Sequence, residues 1–395
     1  MLSVDEARAR ILARLGPVSA ETVALPEGLG RVLAAPVVAR LTQPPADVSA
    51  MDGYAVQAGD TSATIIGAAP AGRPFQGRLG PGQAVRLFTG SVVPDGANAV
   101  VAQEDVVRDG LGITLKIPVR GGQHIRRRGQ DFNEGVTLIA AGTRLGARGI
   151  GLAAAANHPW LSVYRRPRVA ILATGDEISL PGDPLGPGGI ISSNAHALAA
   201  LVRLGGGDPI VLPIAGDDRA AIVGPLQALG ADILVTTGGA SVGDHDLVQD
   251  SLKSAGLMLD FWQVAMRPGK PMLFGMLHGV PVLGIPGNPV SAFVCAVLFL
   301  GPALSRLGGG QGSVPGLSRA TLGAAVREND HRADHLRATV QDGFGLPIVT
   351  PFERQDSSLL SVLHSAQALV LRPPHAPALV QGAEVDILRL DWGGY

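Results

Sequence analysis

The sequence predicts a multidomain α/β protein in which a doubly wound parallel sheet lies between two smaller β domains. Three observations carry that expectation. From 168 to about 300, short apolar runs alternate with helical stretches of about a dozen residues, the pattern of a parallel sheet covered on both faces. On either side, β-type runs are parted by Gly, Pro and Asp, with little helical periodicity. At 395 residues the chain also exceeds what a single core supports.

Taken in order, Leu2, Ala7, Ile11, Leu12 and Leu15 mark an amphipathic helix, with Ser3 and Glu6 spaced as a capping box. A proline joint follows at Gln43-Pro44-Pro45-Ala46. Beyond it, runs at 63–66, 84–88, 99–102 and 113–117 suggest a small β domain reaching about Asp131. An alanine-rich helix at 147–157 leads to a second joint at Arg166-Pro167. Strands are then expected at 169–173, 209–214, 232–235 and 280–283, and helices at 194–204, 219–229 and 288–300. Asn288 reads as the N-cap of the last helix, with Pro289 at its first position. Gly308-Gly309-Gly310-Gln311-Gly312 reads as a flexible linker. The tail from Ser318 alternates apolar and polar residues, most clearly at 336–340 and 385–390, and suggests a second β domain.

Composition narrows the function classes. Hydrophobic residues make up 46% and the formal net charge is -1, so no polyanionic nucleic acid is expected as partner. The only dense basic run is Arg126-Arg127-Arg128, which reads as a solvated face or an intersubunit contact. Cys295, the only cysteine, excludes an intrachain disulfide and any multi-cysteine metal site, and reads as a small buried hydrophobe. Residues 1–15 have no apolar targeting core. The longest apolar stretch, 290–300, falls short of the ~20 residues that span a bilayer. The expectation is a cytoplasmic protein without a membrane partner.

Three glycine-rich segments carry the chemistry: TTGGASVGDHD at 236–246, RPGKP at 267–271 and GIPGNPVS at 284–291. Glycines straight after an apolar strand let backbone N–H groups approach a ligand closely, and such nests favour anions. Parallel sheets bind ligands beyond the carboxyl ends of their strands, where these loops fall. Gly269-Lys270 is not a Walker A lysine, because Pro271 follows it and Val264 stands at the glycine position; no GxGxxG opens a helix. Lys270, set between Gly269 and Pro271, presents a point charge to an oxyanion, or else is a plain surface lysine. Carboxylates beside an anion nest make sense when a divalent cation bridges them to phosphate, which points to Asp244 and Asp246, with Glu177 and Asp217 within reach. Helix capping is the alternative for Asp217. Asp52-Gly53 reads as a turn, though Met51 and Tyr54 beside it suggest a packed, shaped loop. His331 and His335 share zinc-like spacing without a third ligand, and coincidence is the favoured reading.

Together these residues resemble the molybdopterin molybdenumtransferases, the MoeA family that includes the E domains of gephyrin and its plant relatives. The matching motifs, in family order, are SAMDGYAV (49–56), FTGSVVPDGANAVV (88–101), IRRRGQDF (125–132), AGTRL (141–145), TGDE (174–177), GGASVGDHD (238–246), RPGKP (267–271) and GIPGNPVSA (284–292). The resemblance implies an elongated homodimer of four-domain chains. Residues 1–20 would dock on a molybdopterin-binding α/β domain at 165–307. A linking domain would comprise 21–45 and 132–164, with an inserted β lid at 46–131 and a C-terminal β domain at 315–395.

The implied reaction takes adenylylated molybdopterin and molybdate, uses Mg²⁺ or a similar ion, and yields molybdenum cofactor and AMP. Carried over by motif, Asp246 would hold the metal, supported by Glu177 and Asp217. Gly239, Ser241, Gly287 and Asn288 would line the nucleotide–pterin site. Lys270 and Ser291 would face molybdate, joined by Arg337 and by Ser357 or its neighbour Ser358, with Arg267 and Pro271 flanking Lys270. Asp52, Thr89 and Asp131 would come from the lid of the other subunit. Arg267 keeps the charge of a common family lysine, whereas Gln263 removes one. The molybdopterin adenylyltransferase is a candidate partner. It is also a rival reading, since its whole fold resembles the sheet domain, but it lacks the lid motif. A gephyrin-like scaffold is the other rival.

Overall fold

The computed structural model describes residues 1–225, 230–238, 247–314 and 316–390. Its centre is a six-stranded sheet in the order Asp208–Val211, Arg168–Ala173, Ile233–Thr237, Val280–Ile285, Leu273–Leu277, Leu257–Trp262. The first four strands are parallel, as the alternation with helices requires. The last two add an antiparallel edge absent from the sequence reading. Pro268, Gly269 and Pro271 had made that region read as loop. The hairpin turns at His278-Gly279, both at positive φ (50° and 87°), as a tight two-residue turn demands.

Side-chain alternation along the strands feeds two cores. Val169, Ile171, Ile233 and Val235 pack on one face with the helices Asn194–Leu204 and Pro289–Cys295. Ala170, Leu172 and Leu234 pack on the other with Ile222, Val248 and Leu252. The helix expected at 219–229 is described over Arg219–Val223, and its cap is Asp218, not Asp217. The N-terminal helix Val4–Ala13 has the full capping box, and its Ala7 and Ile11 are buried in the first of these cores.

The buried helix is longer than its apolar run suggested, because Gly301-Pro302 does not end it. A π turn at Ala296–Leu300 precedes Gly301–Leu307, and its wider winding accommodates a proline that lacks an N–H and crowds the carbonyl four residues back. The resulting 19 residues, Pro289–Leu307, are long and apolar enough to cross a membrane, but 78% of the apolar window lies buried inside the fold.

The inserted domain is a six-stranded sheet over residues 53–115, in the order Ala99–Ala102, Gly53–Val56, Gln83–Leu87, Ser62–Ala69, Gly112–Leu115, Val106–Asp109. Gly53 is required there: a Cβ would lie 1.9 Å from the Val101 carbonyl oxygen. In the C-terminal domain, strand Ala333–Gln341 pairs with both Ile348–Pro351 and Ala368–Arg372, closing a five-stranded barrel with Leu317–Leu322 and Glu384–Arg389. A short strand from the central domain, Met266–Arg267, is added in parallel to this barrel.

The glycine run after Leu307 is not a flexible linker. Gly309 and Gly310 donate backbone hydrogen bonds to Arg306 and Ser305 carbonyls, and Gly312 N–H donates to Ser305 Oγ. The glycines are there because chains meet closely: a Cβ on Gly309, at φ +85°, would sit 2.1 Å from the Tyr164 ring. Gly309→Ala is therefore expected to destabilise by roughly 2–4 kcal/mol, combining backbone strain with overpacking. Gly151→Ala, on an open helix face with nothing within 4 Å, should instead stabilise by about 1 kcal/mol. Melting midpoints of both variants check this, and equal midpoints would restore the linker reading.

His335, on the barrel strand beside Arg267, is a buried imidazole, and among the described residues no three metal-ligating side chains converge. Burial lowers its pKa from 6.5 to about 4. Between those values the unfolded chain binds more protons than the folded one. Stability is thus full above pH 6.5 and falls as pH drops toward 4, by on the order of 3 kcal/mol. His335→Gln should flatten that part of the slope in denaturation midpoints measured from pH 7 to 4. An unchanged slope would assign the acid sensitivity to other groups.

Candidate functional site

A cavity of about 610 Å³ opens beyond the carboxyl ends of the parallel strands. Thr174 follows the strand Arg168–Ala173, Thr237 ends Ile233–Thr237 with Gly238 after it, and Pro286, Gly287 and Asn288 follow Val280–Ile285. These loops touch each other. Gly238 has φ +99°, and a Cβ there would lie 2.4 Å from the Thr174 carbonyl oxygen. A Cβ on Gly287 would stand 3.5 Å from Gly238 Cα. Asn194 ties the loops together, its Nδ2 donating to Gly287 O (2.7 Å) and Thr237 Oγ1 (2.9 Å).

Two helix N-termini converge on this space. Ser192, Ser193 and Asn194 begin one helix, and Asn288 and Pro289 begin the other. Neither cap residue spends its side chain on capping. Two positive dipole ends thus meet at one concave wall, an arrangement suited to phosphate, although in the second helix Pro289 has no N–H and Val290 gives its own to Ser357. The opposite wall is apolar: Ile178, Ile190 and Ile191 come from a two-stranded flap, Ile178–Ser179 with Ile190–Ile191. Asn194 was read only as a helix start and Thr237 only as part of the 236–246 segment, neither as a site residue, and the flap went unremarked in the sequence. The Ser192-Ser193-Asn194 helix start was the signal for Asn194, whereas nothing local marks the flap as a cavity wall.

Of the sequence-derived site residues, Glu177, Pro271, Gly287 and Asn288 line the cavity. Ser358 lines it as well, with its hydroxyl donated to Asp356 (2.6 Å). Ser357 stands just behind: its Oγ accepts from Asn288 Nδ2 (3.0 Å) and its carbonyl from Val290 N–H (3.1 Å). Asn288 is thus the N-cap by position, but its amide joins the helix start to the C-terminal barrel. Ser291 is buried in the first turn of that helix.

Lys270 precedes the cavity wall residue Pro271. Its turn is tight, since a Cβ on Gly269 would lie 2.6 Å from Cys295 Sγ, and Val264 N–H donates to the Lys270 carbonyl (3.0 Å). Among the described residues no acceptor reaches its ammonium. Arg267, three residues earlier, pairs instead with Asp330 (2.7 Å) and lies 3.4 Å from Asp334.

Arg337 departs from expectation. It is 1% exposed and does not line the cavity. Its guanidinium bonds the Gln355 side chain and the Arg354 and Leu359 carbonyls. It therefore shapes the 354–359 loop that carries Ser357 and Ser358. Asp217 also stays off the cavity lining, its N–H donating to Asp176 Oδ1 (2.9 Å). Gly239, Ser241, Asp244 and Asp246 lie outside the described residues.

Asp52, Thr89 and Asp131 sit on the inserted domain and add nothing to the cavity wall within one chain. Asp52 and Thr89 do meet: the Thr89 N–H (2.7 Å) and hydroxyl (2.8 Å) both donate to the Asp52 carboxylate and hold it below the usual carboxylate range. Arg86 lies over the rings of Tyr54 (5.0 Å) and Phe88 (5.1 Å), so Tyr54 is packed as expected, whereas Met51 is 40% exposed.

Comparison with known proteins agrees with this layout. Residues 2–157 match the MoeA N-terminal region (domain I and II), 170–306 a probable molybdopterin binding domain, and 319–390 the MoeA C-terminal region (domain IV). The chain is 40% identical over 294 residues to a molybdopterin molybdenumtransferase of Nostoc sp., covering 71% of this chain and 67% of that one. It is 34% identical to molybdopterin molybdenumtransferase 2 of Mycobacterium tuberculosis, over 98% of this chain and 99% of that one. Among solved structures, a molybdopterin biosynthesis MoeA protein from Pyrococcus horikoshii superposes with a TM-score of 0.86 at 28% identity, over 98% of this chain and 100% of that one. Sequence, domain order and fold agree, and the chain belongs to the MoeA family of molybdopterin molybdenumtransferases.

Proposed function

We propose that this chain completes molybdenum cofactor by inserting molybdate into adenylylated molybdopterin, cleaving the pyrophosphate link with water and releasing AMP. The observation that carries this reading is the cavity where two helix N-termini and the Gly238 and Gly287 loops meet next to the Lys270 turn. A ligand with both a pyrophosphate and a ring system suits a cavity with a dipolar wall and an apolar one. The phosphates would lie on the backbone N–H groups, and the rings against Ile178, Ile190 and Ile191. Lys270, uncommitted among the described residues, would draw molybdate to the cavity edge, with Ser357 as the hydroxyl donor, since the Ser358 hydroxyl is given to Asp356.

The Glu177 carboxylate borders the cavity. Such a hard oxygen donor fits Mg²⁺, which takes one or two protein carboxylates and fills its shell with phosphate and water. Glu177 and Asp246 would hold it, and the ion would supply neutralising charge to the phosphate oxygens. Asp52, fixed by Thr89 and absent from the cavity wall of its own chain, supports a homodimer in which each lid completes the partner's site. The substrate's adenylyl group implies a molybdopterin adenylyltransferase upstream, a candidate partner in the cytoplasm.

Full-length protein given adenylylated molybdopterin should release AMP, and molybdate should be consumed in step with it. Lys270→Ala should raise the molybdate concentration for half-maximal insertion by roughly one to three orders of magnitude, the cost of removing a partnered cation from a poorly solvated cleft. Binding of the adenylylated pterin should suffer less, because backbone N–H groups carry it. Equal losses for both ligands would move Lys270 to the pterin phosphates, and absence of AMP release by the wild type would sink the reading as a whole.

A further inference from the structure

The Lys270 turn is tied to two domains at once. Met266 and Arg267 pair in parallel with Ala333 and Asp334 of the C-terminal barrel, and Ala333 N–H donates to the Ala265 carbonyl (2.9 Å). At this seam the Arg267 guanidinium donates to Asp330 (2.7 Å), and its Nε lies 3.4 Å from Asp334. Asp330 is itself held by the Arg332 N–H (2.9 Å) and Nη2 (2.7 Å). Asp334 is largely buried, with a side chain 12% exposed. Arg267 thus faces two carboxylates from another domain, whereas Lys270 faces none among the described residues.

The stretch from Arg267 to Lys270 transmits position well. Pro268 fixes one φ, Pro271 fixes another, and Gly269 is packed against Cys295 and Met266 with no room for a Cβ. A shift of Arg267 therefore cannot be absorbed locally and reaches the Lys270 turn. We propose that Arg267 is a positioning residue rather than an oxyanion ligand: Asp330 and Asp334 of the barrel hold it, and through it they hold Lys270 at the cavity edge. This rests on Lys270 being the molybdate-facing cation.

The test is a set of mutant cycles in the full chain, reading half-saturating molybdate in AMP-release assays alongside affinity for adenylylated molybdopterin. Arg267→Gln and Asp330→Asn should each raise half-saturating molybdate by about 3- to 30-fold while pterin affinity holds, and the double variant should be no worse than either. Adding Arg267→Gln to Lys270→Ala should cost nothing further, and Arg267→Lys should restore most of the loss. A direct oxyanion ligand behaves differently: Asp330→Asn would leave molybdate affinity unchanged or improve it by freeing the guanidinium, and Arg267→Gln would add fully to Lys270→Ala. Either result overturns the proposal. A Lys270→Ala variant with normal molybdate dependence would instead remove the site reading on which it rests, and the proposal with it. Asp330 is 40% exposed, so its amide variant tests the pair without opening the core.

Discussion

Everything at the site depends on how closely three backbone loops approach one another at the ends of the parallel strands. Gly238 lies against the Thr174 carbonyl, and Gly287 faces Gly238 across a gap that a single Cβ would fill. Any side chain at Gly238 would drive the loops apart. Because they touch, the helix starts at Ser193-Asn194 and Asn288-Pro289 border one cavity instead of two separate surfaces. Asn194 locks that arrangement by bonding both loops. The convergence of the two helix starts is thus a property of backbone placement.

The C-terminal barrel is part of this machinery. It meets the central domain at two hydrogen-bonded seams on either side of the cavity: the added strand Met266–Arg267, and the contact of Asn288 and Val290 with Ser357. Arg337 explains why the second seam holds its shape. A guanidinium almost wholly removed from water must satisfy its donors, and it does so on carbonyls and the Gln355 side chain of the 354–359 loop. Apolar residues continue the junction, since Leu363, Leu369 and Leu388 of the barrel share the main core of the central domain. A barrel so attached behaves as a wall of the site.

The inserted domain is organised by a different interaction. Arg86 stacks on Tyr54 and Phe88 and donates to the Gly53 carbonyl, joining the strand that carries Asp52 to the loop that carries Thr89. The Asp52–Thr89 pair is consequently preformed although it lies on the surface. This acidic tip lines no part of the cavity described above.

The sequence by itself determined the element types, the glycine loops and the family. Apolar alternation, caps and turn residues are local properties, and they marked the capping box at Ser3 and Glu6, the helix Asn194–Leu204 and the strand ends that border the cavity. Four residues singled out on local pattern, Glu177, Pro271, Gly287 and Asn288, line one cavity. Only the tertiary structure decided which charges are free. Nothing near Arg337 or Arg267 in the chain reveals that one is buried among carbonyls and the other is faced by Asp330 and Asp334, some sixty residues away. The glycine run at 308–312 looked flexible because its partners, Tyr164 and Ser305, are distant or on the preceding helix, and only the fold brings them into contact. Charge neutralisation and steric fit depend on groups far apart in the chain, and for that reason they were illegible until the chain was folded.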